Sequence, residues 1–320
     1  METKHLYLDL NYPAVHAKIG MMPYNDSFKG LLFDADMAGV LLSHDYSNAG
    51  VSAGFFRFQD SADSELGKNT ADMFSLDGKY TVSKDLSVGA AYYYIKDDST
   101  AVNATVQDTE VHSVGINAAG KIGPVALTGL FLQQFGDLNS TQDAEGYAFN
   151  VGAKMPLAGG TLRSEFLYVS GGDDAFYVAN GSAPFFSEGG QFYDSEMTML
   201  GRDKYATTID NAIIYDVNNF NEGVIMGTVG YDYTFTDKCS GSANIGFAAI
   251  ADDAAGAAAT RNIARGSDDY LGTEINAEGY YKLSANVTLG ARAGYLMLGD
   301  YFAGSVDDPY TVKLIAKYNF

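Results

Sequence analysis

The chain of 320 residues has no tryptophan, one cysteine, six prolines and only 20 basic residues against 40 acidic ones. It also has no apolar run near the roughly 18 residues that a membrane-spanning helix needs. That absence excludes a helical membrane protein. It does not exclude a membrane sheet, in which lipid-facing and water-facing residues alternate and cancel in any average. A hydrophobic content of 47% with a mean hydropathy of −0.08 fits such cancellation. The lone Cys239 allows neither an internal disulfide framework nor a Cys-based metal site. A net charge of −20 argues against a nucleic-acid partner, which needs a basic surface. Residues 1–20 lack the apolar stretch and small-residue cleavage site of a secretory signal, so an exported protein with this sequence would be mature or cut.

Catalytic chemistry is also missing. His5, His16, His44 and His112 are scattered without metal-ligand spacing. No nucleophile elbow or phosphate-binding loop is present. Asp34-Ala-Asp36-Met-Ala-Gly39 begins like a calcium loop but lacks the third acidic ligand and the distal glutamate. His112 near Glu110 is the only acid–base pair worth naming. No enzyme activity, cofactor or metal is expected.

What is present is a period of two. Near the end of the chain Tyr310, Val312, Leu314, Ala316 and Tyr318 alternate with Thr311, Lys313, Ile315, Lys317 and Asn319, and Phe320 closes the sequence. Such alternation gives a strand with one apolar face. A strand of about 9–11 residues crosses a bilayer when tilted. An edge strand of a soluble sheet is the alternative. Alternation and turn signals divide the whole chain into about 15 strands, near 4–10, 14–22, 36–43, 51–59, 70–80, 86–96, 109–119, 125–134, 146–154, 161–170, 222–234, 239–250, 270–282, 287–297 and 309–320. Thirty-six glycines and few prolines suit many strands joined by tight turns. The 23 tyrosines and 19 phenylalanines suit girdles at a membrane interface.

The connections are of two kinds. Short ones include Ser83-Lys84-Asp85, Thr236-Asp237-Lys238 and Ser284-Ala285-Asn286; long ones cover 23–35, 60–69, 97–108, 135–145, 171–221, 251–269 and 298–308. Lys84, Lys121, Lys154, Lys238 and Lys282 lie at short turns, whereas Asp97-Asp98, Asp173-Asp174, Asp252-Asp253, Asp268-Asp269 and Asp307-Asp308 lie in or beside long loops. The odd strand count, with the first strand starting on the long-loop side, leads to the expectation that N-terminal strands are missing; a miscounted strand is the competing explanation. Segment 171–221 is too long for an ordinary loop. It is expected to narrow the interior of a barrel or cap its mouth through Asp194, Glu196, Arg202, Asp203, Lys204 and Asp210, with a short hairpin as the alternative.

Several strands sort their faces. Leu271, Ile275 and Tyr281 oppose Glu274, Glu278 and Lys282; Leu289, Ala291 and Tyr295 oppose Arg292; Leu162 and Phe166 oppose Arg163 and Glu165; Phe56 and Phe58 oppose Arg57. A basic residue facing lipid at mid-membrane costs about 2–4 kcal/mol, so these charges should point inward. Glu274 and Glu278, then Arg292, then Lys313 and Lys317 should share one wall. Two compatible readings remain: a transverse field across a pore, or a structural network of ion pairs. Strands 109–119 and 125–134 are apolar on both faces, which suits a contact between subunits or a place beneath the long loop.

The closing pattern, with Tyr318 and Phe320 as its assembly signal, resembles the C-terminal strand of Gram-negative outer-membrane β-barrels. His5-Leu-Tyr-Leu-Asp-Leu10, Met21 to Gly30, Phe33 to Gly39, Tyr193-Asp-Ser-Glu-Met197 and Leu200-Gly-Arg-Asp-Lys-Tyr205 resemble parts of a Gram-negative porin, in a branch related to alginate-export barrels. The resemblance implies one all-β transmembrane antiparallel barrel over residues 1–320, of roughly 16–18 strands in the full protein, with short periplasmic turns and long extracellular loops. It implies passive diffusion of small hydrophilic solutes or ions in the bacterial outer membrane. Alternatives are a substrate-specific or plugged barrel (a polysaccharide or anion channel, or a receptor scaffold) and a soluble all-β binding protein. Expected partners are outer-membrane lipid, lipopolysaccharide with divalent cations at the loop aspartate pairs, the barrel-assembly machinery and further copies in a homo-oligomer such as a trimer.

Overall fold

The alternating segments become strands wherever one face is apolar and the other carries polar side chains or glycine. A computed structural model describes residues 5–60, 70–100, 107–139, 141–178, 192–205, 212–261, 263–304 and 306–319. Asp210 and Phe320 lie outside the described residues. The strands are β1 (Leu6–Tyr12), β2 (Val15–Asn25), β3 (Asp34–Asp45), β4 (Ala49–Asp60), β5 (Thr70–Ser83), β6 (Leu86–Thr100), β7 (Gln107–Ile122) and β8 (Val125–Asn139). They continue with β9 (Gln142–Asp143), β10 (Tyr147–Leu157), β11 (Gly160–Val169), β12 (Val224–Thr236), β13 (Cys239–Ala249), β14 (Tyr270–Lys282), β15 (Val287–Leu298) and β16 (Tyr310–Tyr318). One four-residue helix, α1 (Ala257–Thr260), lies in the β13–β14 connection.

The sheet order follows the chain from β1 to β16, with two-residue β9 set beside β8. Connections of two to four residues alternate with longer ones. The fifteen expected strands are therefore all present, and β9 is the addition. Burial on the two faces is inverted relative to a soluble sheet. Leu314 and Val312 on β16 are 88% and 70% exposed, while Glu274 on β14 and Arg292 on β15 are 0% and 1% exposed. The face carrying these charges is called the covered face below, and its apolar opposite the open face.

By internal contacts the chain divides into two units, one made of Met1–Gly120, Gly129–Phe149 and Asp174–Phe192. On its open face an aromatic row crosses β4 to β8. Phe55, Phe74, Tyr94, His112 and Phe135 follow one another at ring separations of 4.9, 6.3, 4.7 and 5.0 Å. The rings form a continuous row, and His112 is one of its members. The Tyr92 hydroxyl lies 2.6 Å from His112 Nδ1, and Glu110 binds Lys96 at 2.5 Å. Strands β7 and β8 lie beneath part of the long segment: Gln134 donates to the Tyr177 carbonyl at 2.9 Å and accepts from the Tyr177 N–H at 2.7 Å.

The same unit holds a feature that the sequence did not disclose. Residues 26–33 fold onto the covered face, burying Phe28, Leu31, Leu32 and Phe33. The Asp26 carboxylate organises the turn, accepting the N–H groups of Phe28 (2.6 Å), Gly30 (3.0 Å), Leu32 (2.7 Å) and Phe33 (2.7 Å). Ser27 docks the turn through its N–H to the Tyr93 hydroxyl at 2.9 Å and its hydroxyl to Asp77 at 2.6 Å. Gly115 on β7 leaves room, because a Cβ there would lie 2.6 Å from the Phe28 ring.

Burial pushes the Asp26 carboxyl up to about 6 from an ordinary 3.8, against the pull of its four N–H donors. Between those values the folded state holds a proton that the unfolded state has released. This contribution to stability is complete below the unfolded value and is lost as pH rises through about 6. Amide protection at Leu32 and Phe33, corrected for intrinsic exchange, should be greater at about pH 5 than at about pH 8. Asp26→Asn should remove that difference. Equal protection at both pH values would count against the assignment.

Candidate functional site

The second unit contains Lys121–Thr128, Asn150–Asp173 and Tyr193–Phe320. Its strand registers align side chains of the covered face into rows. Thr161 pairs with Asp232, Asp232 with Ser242, Ser242 with Glu278, Glu278 with Arg292, and Arg292 with Lys313. The charge along this row changes sign between β14 and β15. The next row contains Arg163, Gly230, Asn244, Asn276, Gly294 and Thr311, and the one beyond it contains Glu165, Thr228, Gly246, Glu274 and Leu296. Glu278, Arg292 and Lys313 thus stand side by side as expected. Lys317 is displaced along β16, opposite Thr288.

Residues 193–205 lie against these rows. Arg292 donates from Nη1 to Asp203 at 3.1 Å and from Nη2 to the Glu196 carbonyl at 2.7 Å, and its Nε lies 3.6 Å from Glu278. Asp203 is also bound by Lys313 and accepts the Tyr205 N–H at 2.9 Å. Lys204 reaches Glu196 at 2.6 Å and Glu278 at 3.3 Å. Arg163 grips Asp232 with two bonds of 2.6 and 2.8 Å, and donates to Asn244 at 2.9 Å. Lys317 lies 3.3 Å from the Tyr205 hydroxyl and 4.6 Å from that ring. Cations here are matched by carboxylates at short range, which a low-dielectric location requires.

Glu274 corrects the expected wall in one respect: it is held by amides and not by a neighbouring base. Its carboxylate accepts the N–H groups of Thr198 (2.8 Å), Met199 (2.9 Å) and Leu200 (2.8 Å), and the Thr198 hydroxyl as well. Asn276 adds its amide at 2.8 Å. The register sets Leu296, and no base, opposite Glu274. Converging N–H donors stabilise a buried carboxylate as a cation would, and they fix a backbone segment at the same time.

Other expected residues also have definite places. Glu165 accepts the Tyr193 hydroxyl at 2.5 Å and the Asn150 amide at 2.9 Å. Arg202 lies 4.4 Å from the Tyr215 ring centre. Asp194 accepts the Glu196 N–H at 2.9 Å, and burial raises its carboxyl above the ordinary value. Burial lowers the Lys204 ammonium, but the bond and charge of Glu196 outweigh it and hold it above its ordinary value. Arg57, in the first unit, departs from the expectation that it faces inward opposite Phe56. Phe56 is the buried residue of the covered face, and Arg57 shares the open face with Phe55, 6.0 Å from that ring, where a two-bond pair with Asp72 at 2.7 and 2.9 Å offsets its charge. Gly201 and Ile214 form an isolated parallel bridge. Tyr318 stands on the open face.

The long connections make a separate cluster. Buried Glu222 accepts the Tyr301 hydroxyl at 2.6 Å and lies 3.5 Å from Arg261 and 3.6 Å from Arg265. Arg265 also binds Asp253, and Asp269 at 3.0 Å. Members of two of the expected aspartate pairs are therefore ion-paired with an arginine.

No protein-family model and no curated protein matches the sequence. Solved structures do match. Pseudomonas aeruginosa OccK3 (OpdO) superposes with a TM-score of 0.61 at 14% identity, over 98% of this chain and 78% of that one. P. aeruginosa OccK5 (OpdH) gives 0.59 at 18% identity, over 98% and 79%, and OpdL of the same organism 0.61 at 15%, over 98% and 80%. These proteins are outer-membrane porins. The fold is that of the porins. Within a porin fold, alternate short and long connections, a bare apolar face and a polar face covered by a long segment are the expected arrangement.

Proposed function

We propose that the chain is an outer-membrane porin that passes small hydrophilic solutes passively through a water-filled pore. The observation that carries this reading is the inverted sheet. Its apolar face is bare, as lipid contact requires, and its charged face is sheltered and paired. Residues 193–205 then form a constriction on the pore wall, and the row from Asp232 to Lys313 sets a transverse field there. No catalytic role is proposed. The partners that go with this reading are outer-membrane lipid, lipopolysaccharide with divalent cations at the long loops, the barrel-assembly machinery and further copies of the chain.

The test is single-channel recording of the detergent-folded protein in a planar bilayer under a salt gradient. Stable discrete steps are expected, with a reversal potential that reports the ion preference of the paired wall. Absence of steps from protein shown to be folded and inserted would overturn the open-pore reading in favour of a plugged scaffold.

A further inference from the structure

The covered face of β11 to β14 also carries a polar hollow of about 300 Å³, lined by Thr161, Asp232, Thr234, Ser240, Ser242 and Glu278 among others. The register sets Ser242 between Asp232 on one neighbouring strand and Glu278 on the other, and sets Thr234 opposite Ser240. Both carboxylates are charge-matched from outside the hollow. Arg163 holds Asp232 through two bonds, and Lys204 and Arg292 lie 3.3 and 3.6 Å from Glu278. An incoming ammonium ion would meet those three cations close behind the carboxylates. An incoming anion would meet the two carboxylates themselves. Charge therefore favours neither.

Hydroxyl groups remain. Thr161, Thr234, Ser240 and Ser242 have no hydrogen-bond partner among the described residues. The Ser242 Oγ is buried as well as unpartnered, a condition that costs free energy until a partner arrives. Rotation about its χ1 toward a guest would give up no existing bond. Each hydroxyl offers one donor and two acceptor positions, and carboxylate lone pairs at the rim add acceptors. We infer that this hollow is a binding site for a neutral polyhydroxylated solute, a sugar or polyol of about monosaccharide size. Carboxylates and hydroxyls accept its O–H groups, and the serine and threonine hydroxyls donate to its oxygens. This inference rests on the porin reading, since the hollow would lie on the pore wall beside the constriction.

The probes are glucose, gluconate and glucosamine. Block of the single-channel current by each is compared, and glucose contact with the detergent-folded protein is followed separately by saturation-transfer NMR, which needs no open pore. Glucose is expected to block at the lowest concentration and to give a transfer signal. Ser242→Val, which removes the buried hydroxyl, and Thr161→Val, which removes one rim hydroxyl, should each raise its half-blocking concentration by about tenfold, the scale of one lost hydrogen bond. Stable steps without preferential glucose block would overturn the inference and leave the porin reading standing. So would block that both variants leave unchanged. A transfer signal without conductance steps would overturn the open pore and keep the site. Absence of both would overturn both.

Discussion

Replacing Glu274 by leucine should release residues 198–200 from the wall and raise the single-channel conductance. The carboxylate receives three backbone N–H groups, one hydroxyl and the Asn276 amide, and among the described residues no cation pairs with it. Hydrogen bonds to a charged acceptor contribute about 1.5–3 kcal/mol each, less when a freed segment can turn to water. A cost of roughly 3–5 kcal/mol in denaturant unfolding is expected. Glu274→Gln should come close to leucine in effect. Its amide keeps one acceptor for Thr198 but, at the other position, points N–H at the N–H groups of Met199 and Leu200. A glutamine variant with wild-type conductance and stability would show that the amides do not hold the constriction in place.

Asp203→Ala should have the second large effect. Asp203 is buried and shared by Arg292 and Lys313, and Arg292 is itself fully buried. Removing the shared carboxylate leaves a buried guanidinium with one ionic partner among the described residues, Glu278 at 3.6 Å. Breaking a buried pair from one side typically costs about 3–5 kcal/mol. The same change leaves an excess positive charge beside residues 203–205, so the reversal potential under a salt gradient should move toward anions. Because Arg292 is shielded from solvent, the shift should persist at salt concentrations that screen exposed charges. A loss of stability with unchanged ion preference would place this cluster away from the conduction path.

The strands were legible because period-two patterning survives wherever one face is apolar. Ile275 and Tyr281 against Glu274 and Glu278 fixed both the existence of β14 and its orientation, whereas Leu271, expected beside them, is fully buried where the β13–β14 register shifts. Arg292 and Lys313 could be placed beside Glu278 for the same reason. The docking of residues 193–205 was legible only as excess length and charge. Which carboxylate would hold it was not, because the ligands of Glu274 are backbone amides, and every residue except proline has one. Asp232 and Asn244 were not legible as site residues, because an isolated aspartate or asparagine in a strand has no pattern that separates it from a solvated one. The inward turn at 26–33 left one trace. Phe28, Leu31, Leu32 and Phe33 make that connection unusually apolar, a composition the sequence reading did not turn into burial.

The sheet order repeats the chain order, and this separates two timescales of assembly. Each long strand meets its partner across a connection or two, so the ribbon can be laid down hairpin by hairpin with little loop-closure entropy. The bonds that fasten residues 196–203 to the wall join positions 76, 96 and 110 residues apart. They cannot form until β14, β15 and β16 are in place, and breaking them undoes no strand pairing. The lining segment is therefore a latch added last to a finished frame, and it can lift and reseat without unravelling the frame.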